Sequence, residues 1–263
     1  MIRVAINGAC GRMGKRLVAV AHSQKDMQVV AAIEAPGHPD VKRDAGAVAG
    51  IGDIGVEVEC QLTVSADVMI DFSSPEATVE HTERCAERGI ACVIGTTGIS
   101  DAQQQRLRGV TESVPVLLAP NMSVGVNVAF EAASMLAQAL GEDFDVEIVE
   151  THHRMKKDAP SGTALGFAER IAEALGRDLA KDAVYGRQGM VGERGAKEIG
   201  IHAVRAGDVV GEHTIIFASQ GERVELTHRA TNRDIFVNGA VRMARILVGK
   251  KPGLYSVKNL LIG

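Results

Sequence analysis

The feature that most restricts the fold is an alternation of short apolar runs with helical segments in the first half of the chain. Apolar runs of strand length lie at residues 2–7, 28–33, 68–71, 91–94 and 114–119. Helical segments separate most of them, and two begin with capping patterns, Ser74-Pro75-Glu76 and Ser100 with Gln103. The stretch 36–55, after the second run, is rich in Gly, Pro and Asp and is predicted to be a loop. Parallel strands joined by helices form a doubly wound sheet, whose ligand lies beyond the strand carboxyl ends. The predicted class is α/β with a Rossmann-type sheet.

A glycine-rich turn follows the first run. Gly8, Gly11 and Gly14 precede a helical segment, an arrangement that brings backbone N–H groups close to a pyrophosphate. The pattern is GxxGxxG, with Cys10 in place of the commoner glycine, and alone it also suits a tight turn without a ligand. Glu34 ends the second run, where an acid can accept a hydrogen bond from a ribose 2′-hydroxyl. Together these residues predict a dinucleotide site.

The residue after Glu34 favours NADH over NADPH. Ala35 stands there, and no arginine adjoins it to hold a 2′-phosphate. The other strand ends expected to line the cofactor site are Phe72, Gly95-Thr96-Thr97 and the segment from Ala119 to Met122.

The second half of the chain has a different pattern. A helix is predicted at 127–140, a strand at 145–151 and a Ser161-capped helix at 162–175; a long surface loop at 177–198 follows. Strand-like runs at 199–205, 212–219 and 223–230 predict an antiparallel meander, and a helix at 235–248 is expected to return to the first domain. The predicted domains are a dinucleotide-binding domain, 1–123 completed by 233–263, and an α+β substrate-binding and oligomerisation domain, 124–232, with a mainly antiparallel sheet.

A basic cluster lies between the strand and the helix of this second domain, in ETHHRMKKDAPSGTA at 150–164. Its basic residues are His152, His153, Arg154, Lys156 and Lys157. Such a cluster repels itself, so either a solvated loop or a small anionic ligand accounts for it. Lys156 and the N–H groups of Gly162 and Thr163 at the helix start could each bind a carboxylate, which favours a dianionic ligand. A histidine or lysine among cations also suits proton donation to a hydride acceptor.

Composition excludes several other classes. A net charge of −4 and 3% aromatic residues argue against a nucleic-acid partner. The apolar stretch 114–140 is interrupted by polar residues, and the N-terminus has no signal-peptide pattern, so we expect no membrane partner and a cytoplasmic location. Cysteines without CxxC spacing predict reduced thiols and no metal site. The remaining histidines, His22, His38, His81, His202, His213 and His228, are expected on surfaces or interfaces.

The whole chain resembles the dihydrodipicolinate reductase family, also called 4-hydroxy-tetrahydrodipicolinate reductases, of bacterial lysine and diaminopimelate biosynthesis. The shared motifs are VAINGACGRMG, Glu34, DFSSPE, GTTG at 95–98, APNMSVGVN at 119–127 and above all ETHHRMKKDAPSGTAL. The resemblance implies reduction of a small cyclic dicarboxylate at C4 by NADH or NADPH, with loss of the 4-hydroxyl as water. It also implies a homotetramer assembled through the sheet of the second domain.

The resemblance assigns roles by position. His152 matches the proton donor/acceptor of the family and Lys156 its proton donor, while His153, Gly162 and Thr163 match substrate contacts. A larger set of positions matches the cofactor contacts of the family: Gly8, Ala9, Cys10, Gly11, Arg12, Met13, Glu34, Gly95, Thr96, Thr97, Ala119, Pro120, Asn121 and Met122.

The chain departs from the family at three positions. Cys10 replaces a frequent glycine, Met155 a histidine of some members, and Ala35 an arginine that in some members selects NADPH; only the last puts something in doubt, the cofactor preference. Two alternative functions stay open. One is a dehydrogenase of another pathway, acting on aspartate or a sugar, and the other is a non-catalytic NAD-responsive regulator.

Overall fold

The computed structural model describes residues 1–262, which form two compact units. One unit comprises residues 1–124 and 234–262, and the other residues 125–233. The domain boundaries predicted from the sequence differ by one residue at each junction. That the units are separate domains stays a prediction, and residue 263 lies outside the described residues.

The first unit contains a sheet of parallel strands. Within residues 1–262 these strands are β1 (Ile2–Asn7), β2 (Met27–Ile33), β3 (Val58–Glu59), β4 (Val68–Asp71), β5 (Ala91–Ile94), β6 (Pro115–Leu118) and β12 (Gly253–Tyr255). Their order is β12-β6-β5-β4-β1-β2-β3, and every neighbouring pair is parallel. The chain reverses its direction of winding at β1, where such sheets bind ligands. The predicted Rossmann-type α/β fold is confirmed.

Helices cover both faces of this sheet. They are α1 (Arg12–Ser23), α2 (Ala45–Ala49), α3 (Pro75–Glu87), α4 (Asp101–Val110), α8 (Asp234–Leu247) and α9 (Val257–Leu261). Alternate residues of β1 belong to different cores, as the period of a strand requires. Val4 packs in a cluster with Leu17 of α1 and Ala244 of α8, whereas Ala5 packs in a cluster with Val79 of α3. α8, the long helix near the C-terminus, therefore packs in the core of the first unit.

The second unit contains a mixed sheet with helices. Its strands are β7 (Asp145–His152), β8 (Ala183–Tyr185), β9 (Ile199–Arg205), β10 (Gly211–Ser219) and β11 (Glu222–Ala230). The helices are α5 (Val124–Leu140, which begins in the first unit), α6 (Gly162–Leu175) and α7 (Leu179–Asp182), with a 3₁₀ turn at Gly141–Asp143. The strand order is β11-β10-β7-β9-β8.

The predicted antiparallel pair of β10 and β11 is present, but the three-stranded meander is wrong because β7 lies between β9 and β10. β7 is antiparallel to β10 and parallel to β9, which in turn is parallel to β8. The turn that connects β9 to β10 therefore does not form a hairpin, since these two strands are not paired. Its backbone pairs with the end of β7 instead, Ala206 N–H donating to His152 O at 2.8 Å and Arg154 N–H donating to Gly207 O at 3.1 Å. The second sheet is thus mixed rather than mainly antiparallel.

Two segments predicted as loops contain further elements. The glycine-rich stretch after β2 includes α2, which Asp44 caps by accepting hydrogen bonds from the N–H groups of Gly46 and Ala47. The predicted loop at 177–198 includes α7 and β8. Its remaining part is tied to β7, because Arg187 and Arg194 both donate to the carboxylate of Glu147.

One apolar helical segment in the described part of the chain, Val124–Asp143, meets the length and hydropathy required to span a membrane. Ala129, Ala133 and Ala137 of this segment are buried in the core of the second unit. Core helices pass the same test, so the finding is a weak indication of a membrane span.

Candidate active site

The basic motif begins on the buried face of β7. Val146, Ile148, Glu150 and His152 alternate along this face and are all buried. β7 ends at His152, so the two adjacent histidines are not equivalent. His152 is 9% exposed on the core side, whereas His153 is half-buried and its Nε2 lies 3.4 Å from Arg233 Nη2.

A fully buried carboxylate anchors His152. Oε2 of Glu150 lies 2.5 Å from His152 Nδ1, and Arg205 donates from Nη1 and Nη2 to the two carboxylate oxygens at 2.9 Å each. The N–H of Ser161 donates to Oε1 at 3.0 Å. Burial raises the pKa of Glu150, but these bonds from Arg205, His152 and Ser161 outweigh it and leave the pKa below its ordinary value. Glu150 is therefore ionised at neutral pH.

His213 packs against His152 from the neighbouring strand. The two rings lie 5.2 Å apart edge to face, and His213 is 3% exposed. Its Nε2 lies 3.0 Å from Ser161 Oγ. Burial and the nearby His152 lower the pKa of His213 to about 4, so the ring is neutral at pH 7. The expectation that His213 lies on a surface is wrong, because its position on β10 faces Glu150 on the buried side of the sheet.

The basic side chains after His152 are not equivalent. Lys156 Nζ donates to both carboxylate oxygens of Asp158, at 2.9 and 2.8 Å, whereas Arg154 and Lys157 are exposed. The hydrogen bond from Lys156 lowers the pKa of Asp158. Arg205 also donates to the backbone oxygen of Asp158 at 2.7 Å, so the guanidinium that holds Glu150 holds this loop as well.

The helix start predicted to bind a carboxylate is α6. Ser161 caps it by accepting the N–H of Ala164 at 3.1 Å, as the sequence predicts. A side chain at Gly162 would meet no atom within 4 Å, so its backbone borders open space. Gly162 and Thr163 occupy the first turn, whose N–H groups favour an anion.

Glycines of the dinucleotide motif permit close backbone packing. Gly8 has φ +75, and a Cβ there would lie 2.6 Å from Phe72 O; a Cβ at Gly14 would lie 2.0 Å from Gly8 O. Gly11 is the N-cap of α1, whose first residues are Arg12 and Met13. Side chains at Gly8 and Gly14 would therefore clash with the backbone of Phe72 and of the turn itself, so the close packing of this turn requires glycine at both positions.

Glu34 contacts the same turn. Its Oε2 accepts the N–H of Cys10 and its Oε1 accepts the N–H of Ala35, each at 2.9 Å. A carboxylate oxygen has a second lone pair, so both oxygens can still accept ribose hydroxyls. Ala9, also predicted to contact the cofactor, is buried beside Cys10.

The remaining predicted cofactor residues follow β5 and β6. Thr96 is buried, accepts the N–H of Ser73 at 3.0 Å and donates to Asp71 at 3.1 Å, while Thr97 is exposed. Gly95 is packed on the ring of Phe72, which a Cβ would approach to 2.2 Å. After β6 lie the other predicted residues, the buried Ala119 and Met122, the exposed Pro120 and the half-buried Asn121. All of these segments follow the carboxyl ends of parallel strands.

A cavity of about 550 Å³ opens beside the glycine turn. Its lining includes the predicted cofactor contacts Gly8, Gly11 and Glu34 and two further acids, Glu76 and Glu80. No lysine or arginine is among the described residues that line it. The lining also includes His81, a residue of α3 that is 7% exposed. The expectation that His81 is a surface residue is therefore wrong.

Donor atoms of Cys10, His38 and Asp40 lie within 4.8 Å of one another and could hold a metal ion. Asp40 already pairs with Arg43 and lies 3.9 Å from Lys15, and both cations disfavour a metal. Burial, followed by the charges of Glu34 and Asp40, raises the pKa of the Cys10 thiol to about 11. The prediction of no metal site stays a prediction.

Three residues at the basic motif were not predicted from the sequence: Glu150, Arg205 and His213. The period of β7 could have identified Glu150, because it continues the buried face of Val146 and Ile148. Arg205 and His213 are more than 50 residues away in the sequence from Glu150, and only the strand order brings them to it.

Comparison with known proteins identifies relatives over the full length. Two family models match, that of the dihydrodipicolinate reductase N-terminus at residues 2–122 and that of its C-terminus at residues 125–261. The 4-hydroxy-tetrahydrodipicolinate reductase of Citrifermentans bemidjiense is 48% identical, with 99% of each chain covered. That of Syntrophus aciditrophicus is 47% identical, covering 99% of this chain and 98% of the relative. A dipicolinate-bound dihydrodipicolinate reductase from Paenisporosarcina sp. TG-14 matches with a TM-score of 0.80 and 29% identity over 100% of both chains.

Proposed function

Because the chain belongs to the dihydrodipicolinate reductase family, it is an oxidoreductase that reduces 4-hydroxy-tetrahydrodipicolinate, and we propose how its residues divide the reaction. The substrate, NAD(P)H and a proton give 2,3,4,5-tetrahydrodipicolinate, NAD(P)⁺ and water, a step of lysine and diaminopimelate biosynthesis. When bound, the nicotinamide supplies the hydride to C4. The protein binds both ligands and supplies the proton that accompanies loss of the 4-hydroxyl.

The second unit binds the dicarboxylate. The observation that carries this assignment is that one short segment joins the end of β7, Lys156 and the start of α6. His152 and Lys156 exchange protons with the substrate, while His153 and the backbone of Gly162 and Thr163 hold it. The relative from Paenisporosarcina was solved with dipicolinate, a dicarboxylate, which supports a ligand of this class.

Lys156 binds Asp158, and in the proposed assignment it also contacts a substrate carboxylate. The ammonium group has three donors, and two of the acceptors that it contacts belong to Asp158. One donor therefore suffices to bind a carboxylate without breaking the ion pair. Asp158 is exposed, so the ion pair costs little to rearrange.

The first unit binds the cofactor, with NADH preferred to NADPH. The contacts are the glycine turn from Gly8 to Met13, Glu34, Gly95 to Thr97, and Ala119 to Met122. Glu34 faces the cavity together with Glu76 and Glu80, and three carboxylates disfavour a 2′-phosphate. The ratio of kcat/KM for NADH to that for NADPH tests the preference. A large advantage for NADPH would refute it.

We further propose a cytoplasmic homotetramer. α6 packs against β7 and β9 on one face of the second sheet. The opposite face carries the half-buried Val149 and Ile216 and the exposed Val204, apolar side chains that a second copy could cover. Light scattering at micromolar concentration should give the mass of four chains, and the mass of a single chain would contradict the proposal.

Substitutions at the two proton-transfer residues test the assignment. His152→Gln and Lys156→Ala should each lower kcat by about 10²- to 10⁴-fold, the usual contribution of a general acid, with NADH affinity nearly unchanged. Lys157→Ala is the matched control, since this exposed lysine lies in the same loop. Normal turnover of correctly folded His152→Gln and Lys156→Ala would refute the assignment.

A further inference from the structure

The carboxylate of Glu150 has an unusual environment for the core of a sheet. Its residue is 0% exposed, and its neighbours on the same face of β7 include the apolar Val146 and Ile148. Burying a charge is costly, and replacing a buried ion pair by apolar side chains is often neutral or stabilising. Core stability therefore gives little reason for an acid at this position. A role towards His152, with which Glu150 is in contact, gives a better one.

The contacts of Glu150 determine which nitrogen of His152 is available. Arg205 and the N–H of Ser161 keep the carboxylate ionised, and an ionised carboxylate can only accept hydrogen bonds. The proton between Glu150 Oε2 and His152 therefore belongs to Nδ1 of the ring. Nε2 points the other way, towards Gly211, where the absence of a side chain leaves room: a Cβ would lie 3.0 Å from Nε2.

We propose that Glu150 is a positioning residue that fixes the ring and tautomer of His152, so that Nε2 exchanges the proton with the substrate, and that Arg205 holds Glu150 for this purpose. The proposal rests on the proposed function, in which His152 transfers a proton. When the imidazolium gives the proton on Nε2 to the substrate, the neutral ring keeps the proton on Nδ1. Glu150 stays ionised throughout, and His152 regains a proton from solvent before the next turnover.

The charged groups around His152 set the direction of each perturbation. Glu150 on the same strand favours the imidazolium, whereas Arg205 on β9 and Lys156 in the following loop disfavour it. His213 on β10 faces the ring but is neutral at pH 7 because its pKa is lowered to about 4. Removing the anion and removing the Arg205 cation should therefore change the stability of the imidazolium in opposite directions.

Two substitutions use this difference in sign. Glu150→Gln should lower kcat about 100-fold and move the limb along which activity falls with rising pH to lower pH, by about one unit. Arg205→Gln should move the same limb to higher pH, because it removes a cation that opposes the imidazolium. Glu150→Asp keeps the charge and should leave the limb near its original pH even though kcat falls. KM for NADH should stay within about twofold in all three, as the cofactor residues are unchanged.

Glu147→Gln is the matched control. Glu147 lies on the opposite face of β7 and also contacts arginines and a histidine, Arg187, Arg194 and His202. Burial raises the pKa of Glu147, but those arginines and the histidine bring it down to about 2, so this substitution also removes a charge from an ion cluster. It should lower stability and leave the pH profile in place.

The outcomes separate the possible failures. Full activity of His152→Gln would overturn the proposed proton transfer itself. If His152→Gln is inactive while Glu150→Gln keeps the kcat and pH profile of the unsubstituted protein, only the positioning role is overturned. An equal shift in Glu147→Gln, or shifts of the same sign in Glu150→Gln and Arg205→Gln, would also overturn it. Should Glu150→Gln fail to fold, Glu150→Asp and Arg205→Gln decide: a large shift in the former or none in the latter refutes the proposal.

Discussion

Acidification should destabilise the protein through His213, and His213→Gln should remove that part of the loss. Burial and the neighbouring His152 lower the pKa of His213 from 6.5 to about 4. Between these values the unfolded chain binds a proton that the folded protein does not. Stability from this group is therefore fully present above pH 6.5 and is lost as the pH falls towards 4.

The size of the effect follows from the two pKa values. Each unit of difference corresponds to about 1.4 kcal/mol, so the complete loss is about 3 kcal/mol. Integration from pH 7 to pH 5, with 6.5 in the unfolded and about 4 in the folded state, gives a loss of about 2 kcal/mol. Burial lowers the pKa of His81 and of His228 as well, so the unsubstituted protein will lose more than this. A comparison with the variant isolates His213.

The assay is urea unfolding, followed by circular dichroism, at pH 7 and pH 5. The protein concentration is kept fixed, because association changes apparent stability. Glutamine stays neutral and can still reach Ser161, and His22→Gln in the exposed part of α1 is the control. From pH 7 to pH 5, the unsubstituted protein and His22→Gln should lose about 2 kcal/mol more than His213→Gln. An equal loss in all three would show that His213 titrates normally in the folded protein and would refute the reasoning.

Three further predictions concern separate parts of the chain. Gly211→Ala places a Cβ 3.0 Å from Nε2 of His152, and steady-state kinetics should show a kcat about 10- to 100-fold lower with KM for NADH unchanged. Ala35→Arg, at an exposed position after Glu34, should raise the kcat/KM ratio of NADPH to NADH about tenfold through one charge-assisted contact with the 2′-phosphate, and an unchanged ratio would place that phosphate elsewhere. Phe167→Ala should lower the free energy of unfolding by about 3–5 kcal/mol in urea, because this side chain is 0% exposed, and a loss below about 1 kcal/mol would contradict its packing.

The sequence predicted the parallel sheet because its signals are local. Five strands of the first sheet, β1, β2, β4, β5 and β6, are short apolar runs, and the helix starts have their own caps, such as Ser74 and the Ser100–Gln103 pair. The short strands β3 and β12 lacked such a signal and were missed. Strand order in the second sheet was also mispredicted, because three successive strand patterns look alike whether or not another strand lies between them.

The candidate site was predictable to the extent that its residues are neighbours in the sequence. The motif from His152 to Thr163 contains the predicted proton donors and the helix start. The contacts that orient them come from β9 and β10, and nothing in the local sequence of Arg205 or His213 indicates a partner on β7. A surface position was therefore the default expectation for His213, and it was wrong.

The geometry of β7 explains how one strand can hold both a structural ion cluster and the histidine proposed to transfer a proton. Its side chains alternate between the faces of the sheet, so Glu147 and Glu150 point in opposite directions. Both carboxylates accept hydrogen bonds from arginine and contact a histidine. Glu147 binds Arg187 and Arg194 of the segment after β8, whereas Glu150 contacts His152. The basic cluster that follows is therefore compensated from within the fold: Glu150 neutralises part of its charge at the strand end and Asp158 pairs with Lys156. Because Asp158 is exposed and Glu150 is buried, the partner of Lys156 is open to solvent and to a proposed substrate carboxylate, whereas the partner of His152 is shielded from both.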